Sequence, residues 1–236
     1  IKEDIFSGFS GKLGNVIGCK GKNGYYLRTK PEKYKDAKSK GQMKQRSKFM
    51  LANELLKNFT PLLRIGYRDC AGKRTGFTAA MSYVMVNAIE QTPEGASIDY
   101  EKVKIAQGTL TTAMEANVKL EKGKAIFTRI NNSGRGDAQE EDNVMTLVYN
   151  KMTRQAVYHL HTARRSDSYC ELPLPEEWLK ENLTVYIAFE NEERKCVSNS
   201  ECLWNGVCEK EQHSMPIPSL ELSAVLLSGS STRTET

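Results

Sequence analysis

The spacing of apolar and polar positions changes twice along this chain of 236 residues. The first stretch, 5–30, is cut by Gly8, Gly11, Gly14, Gly18, Gly21 and Gly24. Short apolar pieces lie between them, Leu13 to Ile17 and Tyr25 to Leu27. This predicts a hairpin of two short strands turning near Lys22-Asn23-Gly24, because Asn-Gly suits a turn with positive φ. Pro31 stops the second strand, and 31–40 is polar. Helical spacing then takes over. Phe49, Ala52, Leu56 and Phe59, flanked by Leu51 and Leu55, predict a buried helix face over about 42–58. Thr60-Pro61 breaks it, and Pro61 to Ile65 adds a short helical turn. A second long helix is expected over 75–90, with Phe77, Met81, Val84, Ala88 and Ile89 as its buried stripe. Pro93-Glu94-Gly95 ends the helical region.

From residue 100 onward the period falls to two. Strands are predicted at 102–106, 114–120, 124–130, 143–149, 155–161, 168–172, 183–190 and 195–203. Met145, Leu147 and Tyr149 share one face of their strand, as do Val185, Ile187 and Phe189 of theirs. Eight short strands at this spacing predict an immunoglobulin-like or fibronectin-like β-sandwich. The connection 173–182, with Pro173, Pro175 and Trp178, suits a crossover in which Trp178 covers one end of the core. The expected organisation is a basic hairpin-plus-helices α+β region at 1–96, the sandwich at 100–208, and a tail or extra strand at 209–236.

Charge sharpens this division. Residues 1–75 carry 18 Lys/Arg against 6 Asp/Glu, a net +12, and 76–236 carry 16 against 23, a net −7. The densest run, 20–48, holds 11 basic residues against Glu32 and Asp36. Such asymmetry marks a polyanion-binding or partner-binding end, or a solvated basic face. Its tyrosines, Tyr25, Tyr26 and Tyr34, lie among these cations and suit either stacking on bases or, as is more usual in a short hairpin, covering its own core. The candidate nucleic-acid contacts are Lys20, Lys22, Arg28, Lys30, Lys40, Lys44 and Lys48. A composition of 39 % hydrophobic and 27 % charged residues excludes wholesale disorder. No uninterrupted apolar run approaches the roughly 20 residues of a membrane-spanning helix. No apolar signal core follows the opening Ile1-Lys2-Glu3-Asp4, so a cytoplasmic location is expected.

Other motifs in the chain fall short of a chemical site. Gly11-Lys12 fails as a phosphate loop, since Phe6 and Leu13 stand where glycine and Ser/Thr are required. His159 and His161 alternate on one strand, but no further ligand is visibly placed to complete a metal site. No G-x-S-x-G elbow supports a catalytic triad. Arg135-Gly136-Asp137 is a three-residue match of a kind common by chance. Asn58, Asn131 and Asn182 open Asn-x-Ser/Thr triplets that matter only on export. Cys196, Cys202 and Cys208 are spaced C-x5-C-x5-C, unlike zinc or redox pairs. Free thiols are expected for these and for Cys19, Cys70 and Cys170, with a Cys202–Cys208 bridge left open. No catalytic residue, metal or cofactor is nominated.

The segment Gly8-Phe9-Ser10-Gly11-Lys12-Leu13-Gly14-Asn15-Val16-Ile17-Gly18 resembles the opening of an uncharacterised domain family of Bacteroidetes bacteria. The likeness continues through Arg28, Pro31, Gln42, Gln45, Arg46, Lys48 and Phe49, then Phe77, Ala79 to Tyr83, Asn87 to Ile89 and Asp99-Tyr100. It reaches Val185 to Phe189 and Val197 to Ser200, so it covers roughly 1–203. The chain departs from the pattern at Cys19-Lys20, where the family usually has tryptophan, and at Lys35 to Lys40, where it often has Asn-Pro. The resemblance implies an architecture and supplies no activity. The expectation is a non-enzymatic interaction or structural protein, part of an assembly with a protein partner or with itself. The alternative is nucleic-acid binding through 20–48. A third reading, an enzyme, would require a pocket of titratable groups.

Overall fold

The computed structural model describes residues 8–21, 24–30, 36–93, 95–121, 123–161 and 163–207. Lys22, Asn23, Tyr34, Cys208 and the tail 209–236 lie outside the described residues. By backbone proximity the chain divides into Ile1–Ser47 and Lys48–Thr236.

The first unit holds an antiparallel sheet of three strands in the order β1 (Gly11–Leu13), β2 (Val16–Gly21) and β3 (Gly24–Thr29). Two hairpins therefore stand where one was predicted. Gly14, at φ +59°, and Asn15 reverse the chain between the paired residues Leu13 and Val16, which splits the strand expected over Leu13 to Ile17. The second hairpin pairs Gly21 with Gly24 and so closes at the predicted place. Helix α1 (Lys40–Leu56) starts two residues before the predicted Gln42. Ser39 Oγ accepts from the Gln42 amide at 3.3 Å, and Gln42 Oε1 accepts from the Ser39 amide at 3.2 Å. This reciprocal box satisfies two amides at the helix start. The helix runs on into the second unit.

There, α1 is followed by a 3-10 turn at Lys57–Phe59, α2 (Thr60–Gly66), α3 (Arg68–Ala71) and α4 (Gly76–Asn87). Thr75 caps α4, its hydroxyl accepting from the Thr78 amide at 3.2 Å. Leu55, Leu56, Phe59, Leu62, Leu63, Ala80 and Val84 form the heart of the helical core. Each fully buried Leu or Phe stabilises it by roughly 1.5–3 kcal/mol. Phe49, expected in that core, is instead exposed, because α1 buries the Ala52–Leu55–Leu56 side. The helix expected to reach Glu90 stops at Asn87. Residues beyond it form a hairpin, β4 (Ile89–Thr92) and β5 (Gly95–Ile98), that turns at the Pro93 segment.

The remaining strands are β6 (Met114–Glu121), β7 (Lys124–Ile130), β8 (Asn143–Asn150), β9 (Gln155–His159), β10 (Tyr169–Pro173), β11 (Asn182–Asn191), β12 (Cys196–Val197) and β13 (Glu201–Val207). They make two antiparallel sheets. One has the order β10-β7-β6; the other runs β9-β8-β11, with β12 and β13 both on the far edge of β11. Phe127, Leu172, Val148, Val185, Ile187, Phe189 and Trp178 belong to one core that both sheets share. The opposite face of the five-stranded sheet is covered by the helices, through Leu147, Tyr149 and Tyr186. Hence β8 and β11 are buried on both faces and read as nearly continuous apolar runs.

Two predicted strands are corrected. Residues 102–106 are a 3-10 turn at Tyr100–Lys102 followed by irregular chain, whose backbone finds other partners: the Ile105 amide donates to Ser200 Oγ at 2.9 Å, and the Ser200 amide to Ala106 O at 3.0 Å. The close approach there needs Gly66, where a Cβ would stand 2.2 Å from Ile105 O. The single strand predicted over 195–203 is broken at 198–200, where Ser198 Oγ accepts from the Phe189 amide at 2.9 Å.

Candidate interaction surface

The glycine-punctuated motif of the first unit has a local physical reason. The Phe9 side chain lies against Gly18, so close that a Cβ on Gly18 would sit 2.3 Å from Phe9 Cδ1. Register then sorts the side chains of the small sheet. Lys12, Ile17 and Arg28 form one cross-strand row, and Cys19 with Tyr26 forms the next row on the same face. The other face carries Leu13, Val16, Leu27, Tyr25 and Lys20, with Phe9 on Gly18 and the Lys20 ammonium 5.7 Å from the Tyr25 ring centre.

This sheet buries little. Every described side chain of β3 is exposed, with Tyr26 at 54 %. Among the described residues, seven of the eleven large exposed hydrophobic residues fall between 13 and 50: Leu13, Tyr25, Tyr26, Leu27, Met43, Phe49 and Met50. Single exposed apolar residues are ordinary, but this concentration in the basic quarter of the chain is not.

The predicted contacts divide in the structure. Lys20, Arg28, Lys30, Lys40 and Lys44 are exposed, and Lys22 is not described. Lys48 is half-buried, and its ammonium reaches Ile89 O at 3.5 Å, so it serves the second unit's own backbone. Among the described residues of the first unit, eight Lys/Arg stand against one acid, Asp36. Arg46 already grips Asp36 through both oxygens, at 2.6 and 2.9 Å, and holds its carboxyl below the usual range.

Elsewhere, much of the ionisable chemistry is tied into structure. Asp137 of the Arg135-Gly136-Asp137 triplet accepts from both the amide and the hydroxyl of Thr111, at 2.8 and 2.6 Å. Arg165 is fully buried beside a fully buried Asp142, with Nε 2.9 Å from Oδ2. Strand β9 ends at His159, so the predicted alternation with His161 does not persist. His161 Nδ1 lies 3.9 Å from Glu190 Oε2, while His159 Nδ1 is buried with no hydrogen-bond partner. Glu190 is 3 % exposed at its side chain, and Arg68 Nη2 stands 3.2 Å from Oε1. Burial pushes its carboxyl up despite the opposing pull of Arg68 and His161. Sequence reading missed both clusters, although an acid directly after the apolar run 183–189 was a visible signal. Cys19, Cys70, Cys170, Cys196 and Cys202 are free thiols. Among the described residues, no group of three or more His, Cys, Asp or Glu is placed to hold a metal, and no helix is long and apolar enough to cross a membrane.

A family model described as a family of unknown function, DUF6266, matches residues 8–204. No curated protein and no solved structure matches the chain.

Proposed function

This chain belongs to the DUF6266 family of unknown function, which offers no activity to inherit; we propose that it is a non-enzymatic interaction or structural protein that docks through its basic first unit. One observation carries the reading. The unit presents an open three-stranded sheet whose surface is cationic and apolar together, with its single described acid already taken by Arg46. A sheet of three short strands with exposed side chains gains little from its own core, and association would cover what folding leaves open. We also read the two facing sheets of the second unit as an immunoglobulin-like or fibronectin-like sandwich, on strand number and antiparallel order. Such a sandwich is a rigid carrier for a binding element.

The test uses the full chain. Light scattering over a wide concentration range reads self-association, and titration with polyglutamate and with an oligonucleotide reads anionic partners. Replacing Lys20, Arg28, Lys40 and Lys44 together by glutamine is expected to abolish whichever response the native protein shows. A native protein that stays monomeric and binds neither probe at low salt would refute the proposal.

A further inference from the structure

We infer that the sheet face carrying Lys12, Arg28 and Tyr26 is a platform for single-stranded nucleic acid. The inference rests on the docking role proposed above and names the partner's chemistry.

Charge selects a polyanion. By sequence the first unit, 1–47, holds 12 Lys/Arg against 4 Asp/Glu, and among its described residues eight cations stand against one acid, Asp36, already paired with Arg46, so the unit attracts anions. A second copy of this chain brings the same cationic unit, so symmetric pairing of these sheets sets like charges together. Side-chain type then selects bases over bare phosphates. Tyr26 is exposed in the middle of a strand, on the face opposite Phe9, and a phenol ring there has no role in the described core. Arg28, two residues along on the same face, lies about 7 Å from it, and Lys12 lies about 10 Å across the sheet from Arg28. A base stacked on Tyr26 therefore leaves its neighbouring phosphates within reach of Arg28 and Lys12. Aromatic side chains on a sheet, flanked by cations, bind unpaired bases because every base offers a π face. A duplex keeps its bases stacked inside and leaves Tyr26 unused. The opposite face is less suited, since Phe9 rests on Gly18 and Lys20 already lies by the Tyr25 ring.

Fluorescence anisotropy of a labelled oligothymidylate of about 20 nucleotides tests this with the full chain. Binding is expected at low salt and falls as salt rises, through release of counterions. Tyr26→Ala should weaken it by about 10-fold, whereas Tyr26→Phe and Tyr25→Ala stay within about twofold of native. Lys12→Gln combined with Arg28→Gln should reduce the slope of log affinity against log salt by about 1.4, for two phosphate contacts at about 0.7 each. Circular dichroism confirms that each variant is folded. Equal losses from Tyr25→Ala and Tyr26→Ala overturn the face assignment, and equal or better competition by duplex DNA or polyphosphate overturns the single-strand assignment. Binding of polyglutamate, or self-association, without any oligonucleotide binding leaves the docking role standing and defeats this inference. Silence toward every probe defeats both.

Discussion

Arg165 offers the sharpest test of how the second unit is held together. The residue opens a 3-10 turn before β10 and is fully buried. Its guanidinium donates to Asp142 Oδ2 at 2.9 Å, Asn132 Oδ1 at 2.7 Å, Thr112 O at 3.3 Å and Thr111 O at 2.8 Å. It also lies 3.7 Å from the centre of the Phe189 ring. One side chain thus ties together the chain before β6, the turns around residues 132 and 142, and the core strand β11. Arg165→Met fills comparable space but strands the Asp142 carboxylate in the interior. Removing one partner of a buried pair costs about 3–5 kcal/mol. The lower half of that range applies, because the Asn191 side chain and the Gln139 amide still donate to Asp142, at 2.7 and 2.9 Å. At roughly 2–4 °C per kcal/mol for a unit of this size, the melting temperature should fall by roughly 6–16 °C. Adding Asp142→Asn to Arg165→Met removes the stranded charge and should recover part of the loss. Thermal melting of native, single and double variants is the assay. A single variant within about 1 kcal/mol of native, or a double variant no better than the single, would show that the pair is not what secures this end of the sheets.

Glu190→Gln should melt at or above the native temperature near pH 7, because burial outweighs the attraction of Arg68 and raises the folded carboxyl above its ordinary 4.5. The folded state then keeps its proton to higher pH than the unfolded chain, so native stability declines as pH climbs from about that ordinary value through the folded one; the variant should lose this decline, and a loss of more than about 2 kcal/mol at pH 7 would mean the ion pair dominates. Gly18→Ala should displace Phe9 and weaken the small sheet by about 1–3 kcal/mol, seen as faster amide exchange in β1 and β2; unchanged exchange there counts against the packing role of Gly18. With a thiol reagent near neutral pH, exposed Cys70 should label well before Cys202, whose thiol burial pushes up to about 11, and before buried Cys170. Peptide mass spectrometry reads that order directly, and early labelling of Cys202 contradicts its burial.

Much of the strand pattern was legible because its cause is local. Strand β6 and the four strands from β8 through β11 lie within a residue or two of their predicted ends, and β7 matches Lys124–Ile130. Alternation survives translation into coordinates when a strand is regular. It failed at 102–106 and 198–200, where serine hydroxyls such as Ser198 and Ser200 take the place of ladder partners from distant segments. The exposed cations of the first unit were legible as residue types. Their division into two faces was not, since the Gly14 turn and the resulting register decide which lysine shares a side with Tyr26.

What the amino-acid order determined alone is therefore the period of each segment and the crowding of positive charge into the first third of the chain. Both follow from backbone geometry and side-chain type, which act over a few residues. Only tertiary structure decided that the helices after Ser47 share a core with Leu147, Tyr149 and Tyr186, so that one sheet is covered on both faces. It alone brought Arg165 to Asp142 and Arg68 to Glu190. Those pairs join residues 23 and 122 positions apart, and what selects them is the need of a buried charge for a counter-charge once water has been excluded.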